Sequence, residues 1–449
     1  MLTTVERSTP LSNFRHRSHG DHSMNRPVMS EGPADRLFVQ PKVGQSIKES
    51  LDKAERRNKF KSVLLVLPLL AFIAVFFLMP IGDMLMRSVQ NGTLADYMPN
   101  SAVELKQWDR QALPEEKTFA VLGNDILSLL KSQNLDRVGT DLNRVQSGMK
   151  LLLNKTARGL EKQSQAGITE FKPLMISIDK RWGETATWSQ LKVMAPSISA
   201  VHYLAAVDRQ YDDNGDIVQQ PESRQIYVGN LLKTLAVSVA ITFICFLLGY
   251  PLAYFLASLP DRFSNLLMIL VLLPFWTSLL VRTSAWIVIL QSNGVFNDVL
   301  RSLGIINQPL DLMYNLYGTI IAMTHILLPF MVLPLYSVMR GVDQTYIRAA
   351  HSMGASSMRT FFKIYFPLSL PGVSAGGILV FILAVGYYIT PALVGGRTGQ
   401  MISNFIAYHM QTSLNWGLAS AIASLLLVVV LLMYWVYDRF VGITNMKLG

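Results

Sequence analysis

The chain has 449 residues and a single cysteine, Cys245. One thiol excludes an intramolecular disulfide and a cysteine-built metal cage. Lying inside an apolar run, Cys245 reads as a small buried hydrophobe. No Gly-Lys dipeptide occurs, so no G-x-x-x-x-G-K-[ST] loop can cradle a nucleotide's phosphates. H-E-x-x-H does not occur either, so that metalloprotease signature is missing too. Charge is scarce: Asp, Glu, Lys and Arg make up 16% and hydrophobic residues 51%, where soluble domains carry ~25% charged residues. A purely soluble enzyme and a wholly disordered chain are both excluded.

What is abundant is apolar sequence, gathered into six runs at 62–86, 230–259, 264–290, 315–339, 372–394 and 416–437. Each exceeds the ~20 residues a helix needs to cross a bilayer. The expected fold is an all-α integral membrane protein with six transmembrane helices. A large helical extracytoplasmic insertion is expected between helices 1 and 2. The expected domains are a disordered basic cytoplasmic tail (1–61), transmembrane helix 1 (62–87), the insertion (88–228), a core with helices 2–6 (229–440) and a short cytoplasmic tail (441–449). The first run starts too late and is too long for a cleavable signal peptide, whose apolar stretch is ~7–15 residues.

The net charge of +10 orients these runs. Lys53, Arg56, Arg57, Lys59 and Lys61 abut the first run. After six crossings Arg262, Arg340, Arg348, Arg359, Lys363, Arg439 and Lys447 fall on that same side, whereas 88–228 is nearly balanced in charge. The positive-inside rule then places both termini in the cytoplasm. Membrane orientation accounts for the basic character, and no nucleic acid is needed.

Within 88–228, Ile126, Leu129 and Leu130 fall at helical spacing, as do Leu142, Val145, Met149 and Leu152, so a small helical domain is expected. Asp212, Asp213, Asn214, Gly215 and Asp216 lack the closing Glu of a calcium loop and read as a turn. Runs two to six contain no Asp or Glu. Ion-coupled carriers rely on such residues, so that class is disfavoured. His325 reads as a helix-to-helix hydrogen bond. Arg282 either snorkels or lines an aqueous mouth. Trp276, Tyr387 and Tyr388 are intramembrane aromatics whose faces can hold organic cations, or rings that simply pack helices. Gly372 and Gly376 form a G-x-x-x-G pair, read as close helix packing or a contact with a second subunit.

Between the fourth and fifth runs, 340–371 reads RGVDQTYIRAAHSMGASSMRTFFKIYFPLSLP. Gly354 permits a sharp turn between two short helices, and Pro371 is expected to start the fifth span. The spacing A-A-x-x-x-G-x9-I-x-x-P resembles the E-A-A loop of type I ABC importer permeases, with Ala349, Ala350, Gly354, Ile364 and Pro367 at the motif positions. LLGYPLAYFLA, LPFWTSLLVRTSAW and GYYITPALVGG resemble the spermidine/putrescine branch of these permeases. The resemblance covers roughly 230–440 and the first span. The motif's leading Glu is Arg348 here, and the acid often found before the Gly is absent, with Ser352 and Met353 in its place.

The resemblance implies a non-enzymatic transport subunit of a bacterial inner membrane, embedded in lipid. It would bind no cofactor, with ATP-Mg held by a partner ABC ATPase dimer. The coupling loop, 341–370, would dock into the ATPase through Ala349, Ala350 and Ile364. A second permease, in the class habit a different chain, and a periplasmic solute-binding protein would complete the assembly. The substrate would be a polyamine or another solute of the branch: an opine, a phosphonate or ferric iron. Arg282, Trp276, Tyr387 and Tyr388 are the expected pathway residues.

Overall fold

The computed structural model describes residues 41–164 and 167–441. Of the tail expected to be disordered over 1–61, residues 1–40 lie outside the described residues, as do 442–449 of the C-terminal tail, whereas 41–61 is helical instead. The chain divides into two units, 1–73 and 74–449. In the first, Pro41–Ile73 is one helix of 33 residues. It starts well before the apolar run, because 48–61 is rich in Lys, Glu and Arg, good helix formers. Lys59 and Glu55 add an (i, i+4) pair at 2.7 Å. Six helices are long and apolar enough to cross a membrane: Glu55–Val89, Tyr227–Ser258, Leu279–Ser302, Leu316–Arg340, Ser357–Gly386 and Trp416–Arg439.

In the second unit, a helical domain stands between the first and second of these spans. Helices Glu116–Lys131, Leu135–Val145, Met149–Ser164 and Thr185–Met194 bury Ile126, Leu129, Leu142, Met149 and Leu152 around Trp182, Trp188 and Phe119. The two indoles are both buried and both satisfied. Trp182 Nε1 donates to Thr156 Oγ1 (2.8 Å) and Trp188 Nε1 to the Trp182 carbonyl (3.0 Å). The acidic loop 212–216 closes a hairpin between strands Arg209–Tyr211 and Ile217–Gln219. Asp212 Oδ1 accepts from the backbone N–H groups of Asn214 and Asp216, so its carboxylate shapes the turn.

The membrane core packs Tyr227–Ser258, Leu316–Arg340 and Phe366–Gly386 around Ile241, Cys245, Leu327, Met331, Leu335 and Val380. Cys245 is fully buried there. Gly372 and Gly376 let helix Phe366–Gly386 approach helix Leu316–Arg340. A Cβ on Gly376 would lie 2.9 Å from Met331 Sδ, and one on Gly372 3.1 Å from Leu335 Cα. The pair therefore serves packing within this chain.

Two runs differ from expectation. The third, 264–290, is broken: Asp261–Leu272 gives way to the tight turn Leu273–Trp276, and a new helix runs Leu279–Leu290. Pro274 has no N–H to continue the ladder, and Ser278 Oγ caps the restart by accepting from the Val281 N–H (3.2 Å). The fifth begins at Ser357 rather than 372. Pro371 is inside this helix, not at its start. The wide turn Phe361–Tyr365 precedes Pro367 and makes room for its ring, so the helix bends through instead of stopping.

Candidate functional site

The loop after the fourth span is built from one capped helix and one left-handed turn. Asp343 Oδ1 accepts from the Thr345 N–H (2.8 Å), which starts helix Gln344–Ser352 and holds this carboxyl below its usual range. Gly354 ends the helix at φ +83, a region that penalises any Cβ. The Ala355 N–H reaches back to the Ala350 carbonyl (3.0 Å) and closes the turn. Helix Ser357–Gly386 follows, so Ile364 and Pro367 belong to the foot of the fifth span and the irregular connection is shorter than 341–370.

Ala349, Ile364 and Pro367 come together here. With Tyr346, Met353 and Lys363 they line a groove of about 370 Å³. Met353, Met358 and Phe362 are exposed nearby and make the surface apolar. Arg348 is exposed and has no ion pair among the described residues. Ala350 departs from expectation. It is 1% exposed and turns inward, since the residue next to a surface-facing Ala349 is rotated by ~100° on a helix. Its small size lets the loop helix lie on its own fold.

A second constellation lies where two spans are broken. The third restarts at Leu279, and Arg282 sits in that first turn. The fifth stops at Gly386, passes through extended Tyr387, and resumes as Ile389–Val394. The two restarts touch: Thr283 Oγ1 and Thr390 Oγ1 are 3.3 Å apart. The carbonyls freed at the break are satisfied by Ser403 Oγ on Tyr387 O (2.6 Å) and Asn404 Nδ2 on Tyr388 O (2.8 Å). Trp286 Nε1 donates to His325 Nδ1 (3.1 Å), the expected bond between helices.

Arg282 and Tyr387 are thus brought together, and Tyr388 lies at the same break. Trp276 is 75% exposed at the end of the preceding turn, outside this cluster. Thr283, Trp286 and Thr390 were missed by sequence reasoning. Only Pro274 hinted that a break would expose them. Broken spans that meet are a feature of solute pathways.

The inserted domain is tied to the core by polar bridges. Asp208 is buried, and its carboxylate accepts from the N–H groups of Ile226, Tyr227 and Val228 (2.9–3.0 Å), capping the second span. Tyr203 OH bridges Ser88 Oγ and Ser424 Oγ, both at 2.9 Å. Between domain and core lies a polar cavity of about 1110 Å³, lined by Asp141, Arg144, His202, Tyr227, Asn415 and Trp416 among others. It is larger than the loop groove and shares no lining residue with it. Burial holds His202 below its ordinary 6.5.

A core of bundled apolar helices, broken mid-span and carrying an exposed apolar loop at its foot, defines a multi-pass solute permease. Residues 249–442 match the family described as "Binding-protein-dependent transport system inner membrane component". The spermidine/putrescine transport system permease protein PotB of Salmonella typhimurium is 37% identical over 224 residues, covering 50% of this chain and 78% of that protein. PotB of Escherichia coli is 37% identical over 222 residues, with 49% and 81% covered. That of Haemophilus influenzae is 35% identical over 222 residues, with 49% and 78% covered. The chain belongs to this family of inner-membrane permease subunits of ABC importers.

Proposed function

We propose that this chain is a transmembrane subunit of an ATP-driven importer of spermidine and putrescine. The observation that carries the reading is its 37% identity to a polyamine permease across 78% of that protein's length. The pair Tyr387 and Tyr388 at the break of the fifth span fits it, since aromatic faces attract organic cations. Both termini lie in the cytoplasm, by the charge of the flanking segments. The inserted domain then stands outside, where a solute-binding protein docks and supplies specificity. ATP-Mg is held by a separate ATPase pair, and a second permease completes the membrane channel.

The loop groove is the contact with the ATPase. Arg348, in place of the usual acid, pairs with an acidic residue there. Helix Ser357–Gly386 carries the motion: 30 residues reach from the groove to the break at Tyr387, about 45 Å at 1.5 Å per residue. ATP-driven closure tilts its foot, and the break moves with it as part of a rigid-body switch between inward and outward states.

The test is uptake of radiolabelled spermidine by cells lacking this gene, with and without the wild-type copy. Uptake that falls on deletion, returns with the gene, and is competed by putrescine supports the reading. Unchanged polyamine uptake overturns the substrate. A second reading, import of an anionic solute such as a phosphonate, is favoured by Arg282 beside the break. Competition by a phosphonate instead of putrescine would select it.

A further inference from the structure

Arg282 carries the one feature of the core that the chain does not resolve by itself. Its Nε and Nη1 are shut off from solvent and have no hydrogen-bond partner among the described residues. An unpaired guanidinium inside a membrane is among the costliest arrangements a helix bundle can hold. The nearby acceptors make their bonds elsewhere: His325 Nδ1 takes the Trp286 N–H, the Tyr387 carbonyl takes the Ser403 hydroxyl, and the Thr283 and Thr390 hydroxyls meet each other. No carboxylate of this chain is at hand. Helices Tyr227–Ser258, Leu316–Arg340 and Phe366–Gly386 contain neither Asp nor Glu, and Asp298 of the third span lies beyond the turn at 291–294.

The surface beside Arg282 is uncovered. Leu280 and Val281 are each 60% exposed, and Tyr388 and Leu393 across the break are also exposed. Lipid tails can cover such an apolar face but cannot pair a guanidinium. A polyamine, which carries only positive charge, cannot pair it either. Snorkelling to the membrane surface would leave its nitrogens in water, and two of them are buried.

We infer that the second membrane subunit of the importer packs on this face and places an Asp or Glu side chain against Arg282. The inference rests on the two-permease reading above. The pair lies where the third and fifth spans break, so the carboxylates that a cationic solute requires along its path come from that second subunit. This chain's contribution is the positive partner that holds one of them in place until solute competes for it.

The experiment uses the full importer: this chain co-expressed with the second permease, the ATPase and the binding protein of the same system. Arg282→Glu sets two carboxylates face to face, so spermidine uptake falls roughly a hundredfold, while Arg282→Lys keeps most of it. Each intramembrane Asp or Glu of the second permease is then changed to Lys in the Arg282→Glu background. One of these reversals restores uptake and restores co-purification of the two permeases. If none restores either, or if restoring changes map only to the binding protein, the inference is overturned. An importer active on a phosphonate, with Arg282→Glu abolishing binding of that anion, would also overturn it, because the solute would then be the counter-charge. Failure of the wild-type chain to co-purify with any second permease would overturn the two-permease reading itself. That outcome is visible before any variant is made.

Discussion

Ala349 lines the groove at the foot of the fifth span, while Ala350 is turned into the protein's own core, so one substitution at each separates docking from folding. Ala349→Trp fills the groove: uptake is lost while the amount of protein in the membrane stays normal. Ala350→Trp overpacks the loop helix, costs about 1–3 kcal/mol, and lowers the amount of folded protein. Quantifying membrane-extracted protein beside uptake checks both. His202 gives a pH prediction. Its imidazole packs against Gly417 at the start of the last span; burial disfavours its proton, a bond to the Gln90 backbone opposes this, Arg144 adds to burial, and Asp141 opposes. Its folded-state pKa is lowered, so the unfolded chain binds the proton more readily. Stability is therefore unaffected above the ordinary 6.5 and falls as pH drops below it. Thermal unfolding from pH ~7.5 to ~5.5 shows this slope, and His202→Gln flattens it.

The elements were legible to different degrees. The second, fourth and sixth spans follow from hydropathy, because each is one uninterrupted helix within a residue or two of its apolar run at most ends. The third and fifth are not, because apolar content says nothing of a backbone break. Pro274 stops a helix where Pro367 does not, and what differs is the wide turn at Phe361–Tyr365. The loop motif was legible as spacing, and Gly354 fulfils it at φ +83. Which of the two alanines faces outward was not, since that depends on the rotation of the loop helix on the core. Helix contact gives a paired test. Gly376→Ala drives a Cβ against Met331 and costs about 1–3 kcal/mol. Gly377→Ala, whose nearest neighbour would be Thr242 Cγ2 at 4.0 Å, is close to neutral. Comparative melting of the two purified variants distinguishes them.

At the scale of the whole molecule, the inserted domain and the core are held by polar bridges and by an apolar cluster in which Tyr203 and Ala206 pack with Leu418, Ile422 and Leu426 of the last span. The domain's helical character was visible in the spacing of Leu142, Met149 and Leu152. Its attachment through Tyr203 to Ser424 and through Arg144 to the Ser413 carbonyl was not, because each of these bridges joins residues more than 200 positions apart in sequence. Asp208→Ala removes the acceptor of three N–H groups at the start of the second span and costs about 2 kcal/mol or more. Limited proteolysis of the variant should then release the 88–228 domain faster than from wild type, and equal rates would contradict the capping role. The central claim is that this chain couples ATP hydrolysis by an ATPase docked at its loop to solute movement at its broken spans. The most direct measurement is ATP-dependent spermidine accumulation in proteoliposomes holding this chain with its ATPase, second permease and binding protein. Accumulation by wild type, with Gly354→Asp assembling normally but accumulating none, is the predicted result. Accumulation that persists without ATP, or that survives Gly354→Asp unchanged, would contradict it.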